Sequence, residues 1–104
     1  MKWSDAIVDF EHFLKIERGL SENTVISYRL DVHKLIQYLK SNEMSNNPVE
    51  IKGEAIQQFL YQLAKATNPR TQSRIISGLR SFFDYLVFEG YRSNNPLEQI
   101  EAPK

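Results

Sequence analysis

Four stretches of this chain repeat their apolar residues at helical spacing, and short runs containing glycine, proline, asparagine or serine separate them. No stretch sustains the alternation of a half-buried strand, so the pattern excludes a sheet architecture and predicts an all-α fold of four helices. The first helix is expected from about Ser4 to Glu17, with Ile7, Phe10, Phe13 and Leu14 on one face. Ser4 and Asp5 stand where an N-cap and a favourable first-turn charge belong, and Gly19 ends it. The second starts after Ser21, a good N-cap, and runs to about Lys40 with Val25, Tyr28, Val32, Leu35, Ile36 and Leu39 on one stripe. Polar turn formers from Ser41 to Pro48 then break the periodicity, as a loop joining two helical hairpins should. The third helix, roughly Gly53 to Lys65, turns Ile56, Phe59, Leu60 and Leu63 inward. Asn68 and Pro69 can serve as N-cap and first residue of the fourth, which runs to about Phe88 before Gly90. The tail from Asn94 is expected to pack one short turn.

With 104 residues the chain is one domain by length and large enough to bury a core. It has no cysteine, so disulfides and thiolate metal sites are unavailable and a cytoplasmic setting is expected. No apolar run approaches a signal segment or a membrane span, which argues against a membrane partner. Thirteen basic and 13 acidic residues cancel, whereas a nucleic-acid binder is usually basic overall. A local cationic face can still attract phosphate when the total is zero, so the distribution of charge matters more than its sum.

The charges are segregated on the fourth helix. On a helical wheel Arg70, Ser73, Arg74, Ser77, Arg80 and Ser81 share a polar arc, while Ile75, Ile76, Leu79, Phe82, Phe83 and Leu86 lie opposite. From Pro69 to Arg92 the arginines are Arg70, Arg74, Arg80 and Arg92, and the acids Asp84 and Glu89 come late, so the N-terminal half is cationic. Small hydroxyl residues between arginines allow close approach to a duplex, and the helix N-terminus adds its own positive end. Taken alone, the same arc is also what an ordinary solvated helix face looks like.

Two stretches carry a resemblance. Leu20-Ser21-Glu22-Asn23-Thr24 through Tyr28 and Asp31 is similar to the LSxxTxxxYxxDL pattern of tyrosine recombinases of the Xer and phage-integrase type, with Val32 in place of the last leucine. Arg74 through Leu86 resembles their RxxSxLRxFxxFL pattern, with Gly78 between Ser77 and Leu79 and with Tyr85 near its end. The order and spacing of the two motifs, followed by Asn95-Pro96 and Pro103-Lys104, cover essentially the whole chain and resemble the N-terminal core-binding, SAM-like domain of that family. The resemblance implies two hairpins packed crosswise, with the second and fourth helices facing the DNA major groove and the outer helices meeting neighbouring protomers. It implies a domain over residues 1–102, with 103–104 opening a linker to a catalytic domain. Carried over by position, it assigns Thr24 and Ser27 on the second helix, and Arg70, Thr71, Arg74 and Ser77 on the fourth, to DNA binding, with Arg80 as a further phosphate contact. The implied partners are a double-stranded recombination half-site and other recombinase protomers.

Each residue also has a plainer role. Thr24 and Ser27 suit a solvated first turn, since hydroxyls favour helix starts. Tyr28 lies in the apolar stripe and reads as a core residue with a polar tip, Asp31 as a cap, an ion-pair partner or an orienting group, and Gly78 as an allowance for close helix packing. Trp3, Phe10 and Phe13 read as packing residues. His12 and His33 lie in different helices without a matching Arg-His motif, and no residue set has the spacing of a metal site or a glycine-rich phosphate loop. No cofactor and no small-molecule substrate are expected, and in the resembled family the phosphodiester chemistry lies downstream of such a domain. The chain is therefore expected to be a DNA clamp and not an enzyme. Two alternatives stay open: a helical protein-interaction module, favoured by the zero net charge, and a small self-contained DNA-binding protein.

Overall fold

The structure is a computed structural model, and it describes residues 1–44 and 46–101. Helix α1 spans Trp3–His12 and continues as a π-helical segment, Phe13–Glu17; α2 spans Glu22–Ser41, α3 Gly53–Ala66 and α4 Pro69–Phe88. Among the described residues there is no strand. The end expected for the domain, at residues 102–104, and Ser45 of the interhairpin loop lie outside the described residues.

The caps explain most boundaries. The Ser21 hydroxyl accepts from the Thr24 N–H at 3.3 Å, and the Asn68 side chain accepts from the Thr71 N–H at 2.9 Å with Pro69 following it. Each cap of this kind contributes about 1 kcal/mol. Gly19 and Gly90 take the left-handed conformation, φ 62° and 79°, that closes the π-helical segment and α4.

The first helix ends at Glu17 as expected but differs from the sequence expectation in its cap and in the winding of its last turn. It begins before Ser4, with Lys2 at the N-cap position and no side-chain cap, because Trp3 is anchored from elsewhere. Its indole N–H donates to the Asn46 carbonyl at 2.8 Å, and its ring stacks on Phe82 at 6.0 Å. Tertiary contact thus replaces the local cap. Asp5 does sit in the first turn. Toward the C-terminal end the helix widens: the Arg18 N–H bonds to the Phe13 carbonyl at 3.2 Å, a five-residue step. The wider turn keeps Leu14 fully buried while Phe13 meets Tyr85 at 4.9 Å and Phe88 at 6.2 Å, and it leaves Ile16 outside.

All four helices feed one core. Phe10, Phe82, Phe83, Leu14, Val25, Leu35, Ile56, Ile75, Leu79 and Leu86 are fully buried in it. Leu60 and Leu63, expected inward, are half-buried at its margin, as is Tyr28, whose ring meets Phe10 at 6.0 Å. The connections contribute as well, since Ile51 and Leu97 have no exposed surface. Arg92 secures the first of these: its guanidinium donates to the carbonyls of Pro48 (3.0 Å) and Ile51 (2.9 Å) and lies over the Phe83 ring. Burial lowers the pKa of this arginine. Asn95 secures the second, donating to the Arg80 carbonyl (3.1 Å) and Asp84 (2.8 Å) while accepting from the Leu97 N–H. Helices α2 and α4 are the most extensively packed pair.

Candidate nucleic-acid interface

On α2 the apolar stripe turns inward, so the residues between its members must face out. Ser27, Leu30, His33, Lys34 and Gln37 do so, and they line a shallow groove whose other wall is Arg74 of α4. Two of the residues assigned from sequence, Ser27 and Arg74, are therefore brought together from different helices. Arg70 lies one turn before Arg74 and Ser77 one turn after it, and all three are exposed. Thr24 is exposed one turn before Ser27, its hydroxyl 2.9 Å from that of Ser21, so its role in the cap and its assigned role in contact share one atom. Thr71 is half-buried, and its backbone N–H is taken by the Asn68 cap.

Arg80 belongs elsewhere. Its guanidinium donates to the Ile100 carbonyl and borders a cleft with Asp84 and Asn95, so it ties the tail to α4 and does not join the face of Arg70 and Arg74. The reason lies in the wheel: Arg80 is 80° from Arg70, at the edge of the polar arc, where the returning tail covers it. Lys34 is the residue that the sequence reading missed. A wheel drawn for α2 would have found it, since positions 27, 30, 34 and 37 form a helical stripe. Arg29, the other cation of mid-α2, points to α1 and pairs with Glu11 at 3.7 Å.

Arg74 is held by Asp31. Its Nη1 lies 2.9 Å from Oδ1 and 3.2 Å from Oδ2 of a carboxylate that is 2% exposed. Burial raises the Asp31 pKa, and the opposing pull of Arg74 and Lys34 does not cancel that rise. The folded chain consequently binds this proton more tightly than the unfolded one, and stability is lost as pH rises from the ordinary value of 3.8 through the raised one. Urea unfolding of wild type and Asp31→Asn across the acid range checks this: the variant should gain relative stability as pH rises, and a constant difference would show the carboxyl to be unshifted.

Tyr85 is pushed up to about 12 by burial, with Glu89 and Asp9 adding to the shift, the opposite of an activated nucleophile. His12 and His33 are exposed. Among the described residues no group of His, Cys, Asp or Glu is arranged to hold a metal ion, and no helix is long and apolar enough to cross a membrane.

Residues 7–90 match the phage integrase N-terminal SAM-like domain. The chain belongs to that family. This SAM-like domain is 39% identical over 102 residues to the tyrosine recombinase XerD of Listeria monocytogenes, covering 97% of this chain and 34% of that protein. It is 44% identical over 100 residues to the tyrosine recombinase XerD of Oceanobacillus iheyensis, covering 95% and 34%. The tyrosine recombinase XerD of Haemophilus influenzae is 39% identical over 90 residues, covering 86% and 30%. The SAM-like domain thus spans about a third of the length of these relatives.

Proposed function

We propose that the chain is the DNA-gripping domain of a site-specific tyrosine recombinase, and that it holds one side of a recombination half-site through the adjoining faces of α2 and α4. The observation that carries this reading is the shared groove: Ser27 and Lys34 of α2 and Arg74 of α4 offer their polar groups along it beside the exposed Leu30, and Arg70 and Ser77 extend the row along α4. Two helices that offer cations and hydroxyls side by side supply both phosphate contacts, which set register, and base-edge donors, which set sequence. Its part in recombination is to bind and to position. The cutting and joining of strands belongs to a catalytic domain joined through the segment after residue 102.

The zero net charge is compatible with this function because part of the acidic charge lies elsewhere, while Asp31, beside Arg74, is buried. Asp9, Glu17 and Glu89 gather around a cleft at the other end of α4, with Phe13 and Ile16. There Ile16 and Phe88 are 78% and 76% exposed. This apolar patch supports the other half of the proposal, contact with neighbouring recombinase protomers assembled on DNA.

Fluorescence anisotropy with duplexes carrying candidate half-sites, at two salt concentrations, tests the reading. If three or four cations meet phosphates, log affinity falls with log salt at a slope of about −3 to −4. Arg70→Ala/Arg74→Ala should bind about tenfold more weakly or worse, with a slope shallower by about one to two. Absence of binding at low salt would instead favour a protein-interaction module.

A further inference from the structure

The Asp31–Arg74 pair is unequal. The carboxylate is 2% exposed, whereas half of the Arg74 side chain, 51%, remains in solvent. The acid has given up its water for one solvated cation, an exchange that contributes little net stability. The fold nevertheless makes room for it. α4 has glycine at position 78, one turn beyond Arg74, and a Cβ there would overlap Asp31 Oδ2 and stand 3.0 Å from its Cγ. A buried acid behind an exposed arginine, admitted by a glycine that costs helix propensity, calls for a role other than stability.

Orientation is what the arrangement provides. A solvated arginine samples many rotamers and meets any phosphate within reach. Arg74 is tethered through Nη1 to a carboxylate that is itself buried, which restricts the directions its remaining N–H donors take at the mouth of the groove. The same carboxylate offsets its charge, which weakens attraction to phosphate and leaves directional hydrogen bonding. We propose that Asp31 is a specificity-determining positioning residue: by fixing the Arg74 guanidinium it makes this arginine a reader of a base edge in the major groove, with guanine as the matching acceptor pair. This rests on the DNA-gripping reading above and specifies how one of its residues acts.

Binding selection from a pool of duplexes with a randomised core, using the 104-residue chain at low salt, tests the proposal without a known site. Wild type should enrich guanine at one position. Arg74→Ala and Asp31→Asn should both flatten that position about tenfold, while Asp31→Asn binds the unselected pool as well as wild type or better. Equal weakening of Asp31→Asn toward every duplex, or an unchanged guanine preference, would overturn the assignment. NMR of the Arg74 side chain without DNA provides an independent arm. Wild type should give separate, slowly exchanging Nη signals that merge in Asp31→Asn, and a freely rotating wild-type guanidinium would end the proposal even if the domain binds DNA. Wild type that binds no duplex, with Arg74 held as described, would instead remove the DNA reading and the proposed base contact with it.

Discussion

Replacing Phe82 by alanine should lower the stability of this domain by about 4 kcal/mol, the largest effect expected of a single substitution here. Phe82 has no exposed surface and is the hinge of an aromatic cluster: its ring lies 5.3 Å from Phe10 and 5.0 Å from Phe83 in edge-to-face geometry, and 6.0 Å from Trp3. Truncation therefore leaves a cavity and also removes pairwise aromatic contacts of about 0.5–1.5 kcal/mol each. Those neighbours come from α1 and from α4 itself, and rigid helices cannot collapse onto the space as a loop would. Domains of this size have a total stability of about 5–15 kcal/mol, so the variant should be marginal. Its thermal midpoint should fall by about 15–30 °C. Urea and thermal unfolding measure this directly, and a loss below about 1 kcal/mol would mean that the cluster is not packed as described. Tyr28, at the half-buried edge of the same cluster, should be far more tolerant.

Gly78→Ala is the second large effect, and its sign runs against helix propensity. In an exposed helix interior the change would stabilise by about 1 kcal/mol. Here the new methyl group would overlap the Asp31 carboxylate and lie 3.1 Å from Asp31 Cβ, which rotation of the side chain does not move. Either α2 and α4 separate by a few tenths of an ångström or Asp31 is forced out of its pocket. The net loss should be about 2 kcal/mol, in the range of overpacked cores. The severest overlap is with the carboxylate, so removing it should relieve most of the loss. In an Asp31→Ala background, where only the 3.1 Å contact to Cβ remains, Gly78→Ala should cost well under ~1 kcal/mol, with a coupling of about 1–2 kcal/mol across the double-mutant cycle. Asp31→Ala strands no buried charge, because Arg74 keeps half its side chain in water. Equal losses in both backgrounds would show that backbone contact, not the carboxylate, sets the limit at position 78.

Helices α2, α3 and α4 were legible in the sequence because their signals are local. Ser21, Asn68 and Pro69 cap within three residues of themselves, and apolar spacing names Val32, Leu35, Ile75, Leu79 and Phe82 as core without reference to anything distant. The two motifs that carry the family resemblance are local in the same sense, and residues 7–90 match that family. The exposed arc of Arg70, Arg74 and Ser77 followed from one helical wheel.

What the sequence did not disclose depends on partners about forty positions away or on chain that folds back. Trp3 starts α1 because Asn46 holds its indole, Arg92 is a structural pin because Pro48 and Ile51 present their carbonyls to it, and Arg80 is taken by the tail at Ile100. Counted along the chain, Arg74, Arg80 and Arg92 are equivalent cations. They are distinguished by what lies opposite each side chain, and that is a property of packing. Composition and periodicity by themselves determined the helices, their inward faces and a cationic stretch on the fourth. Only the tertiary structure decided which arginines remain available to a partner and that a buried aspartate stands behind one of them, because burial and pairing are set by elements that meet in space and leave no local pattern.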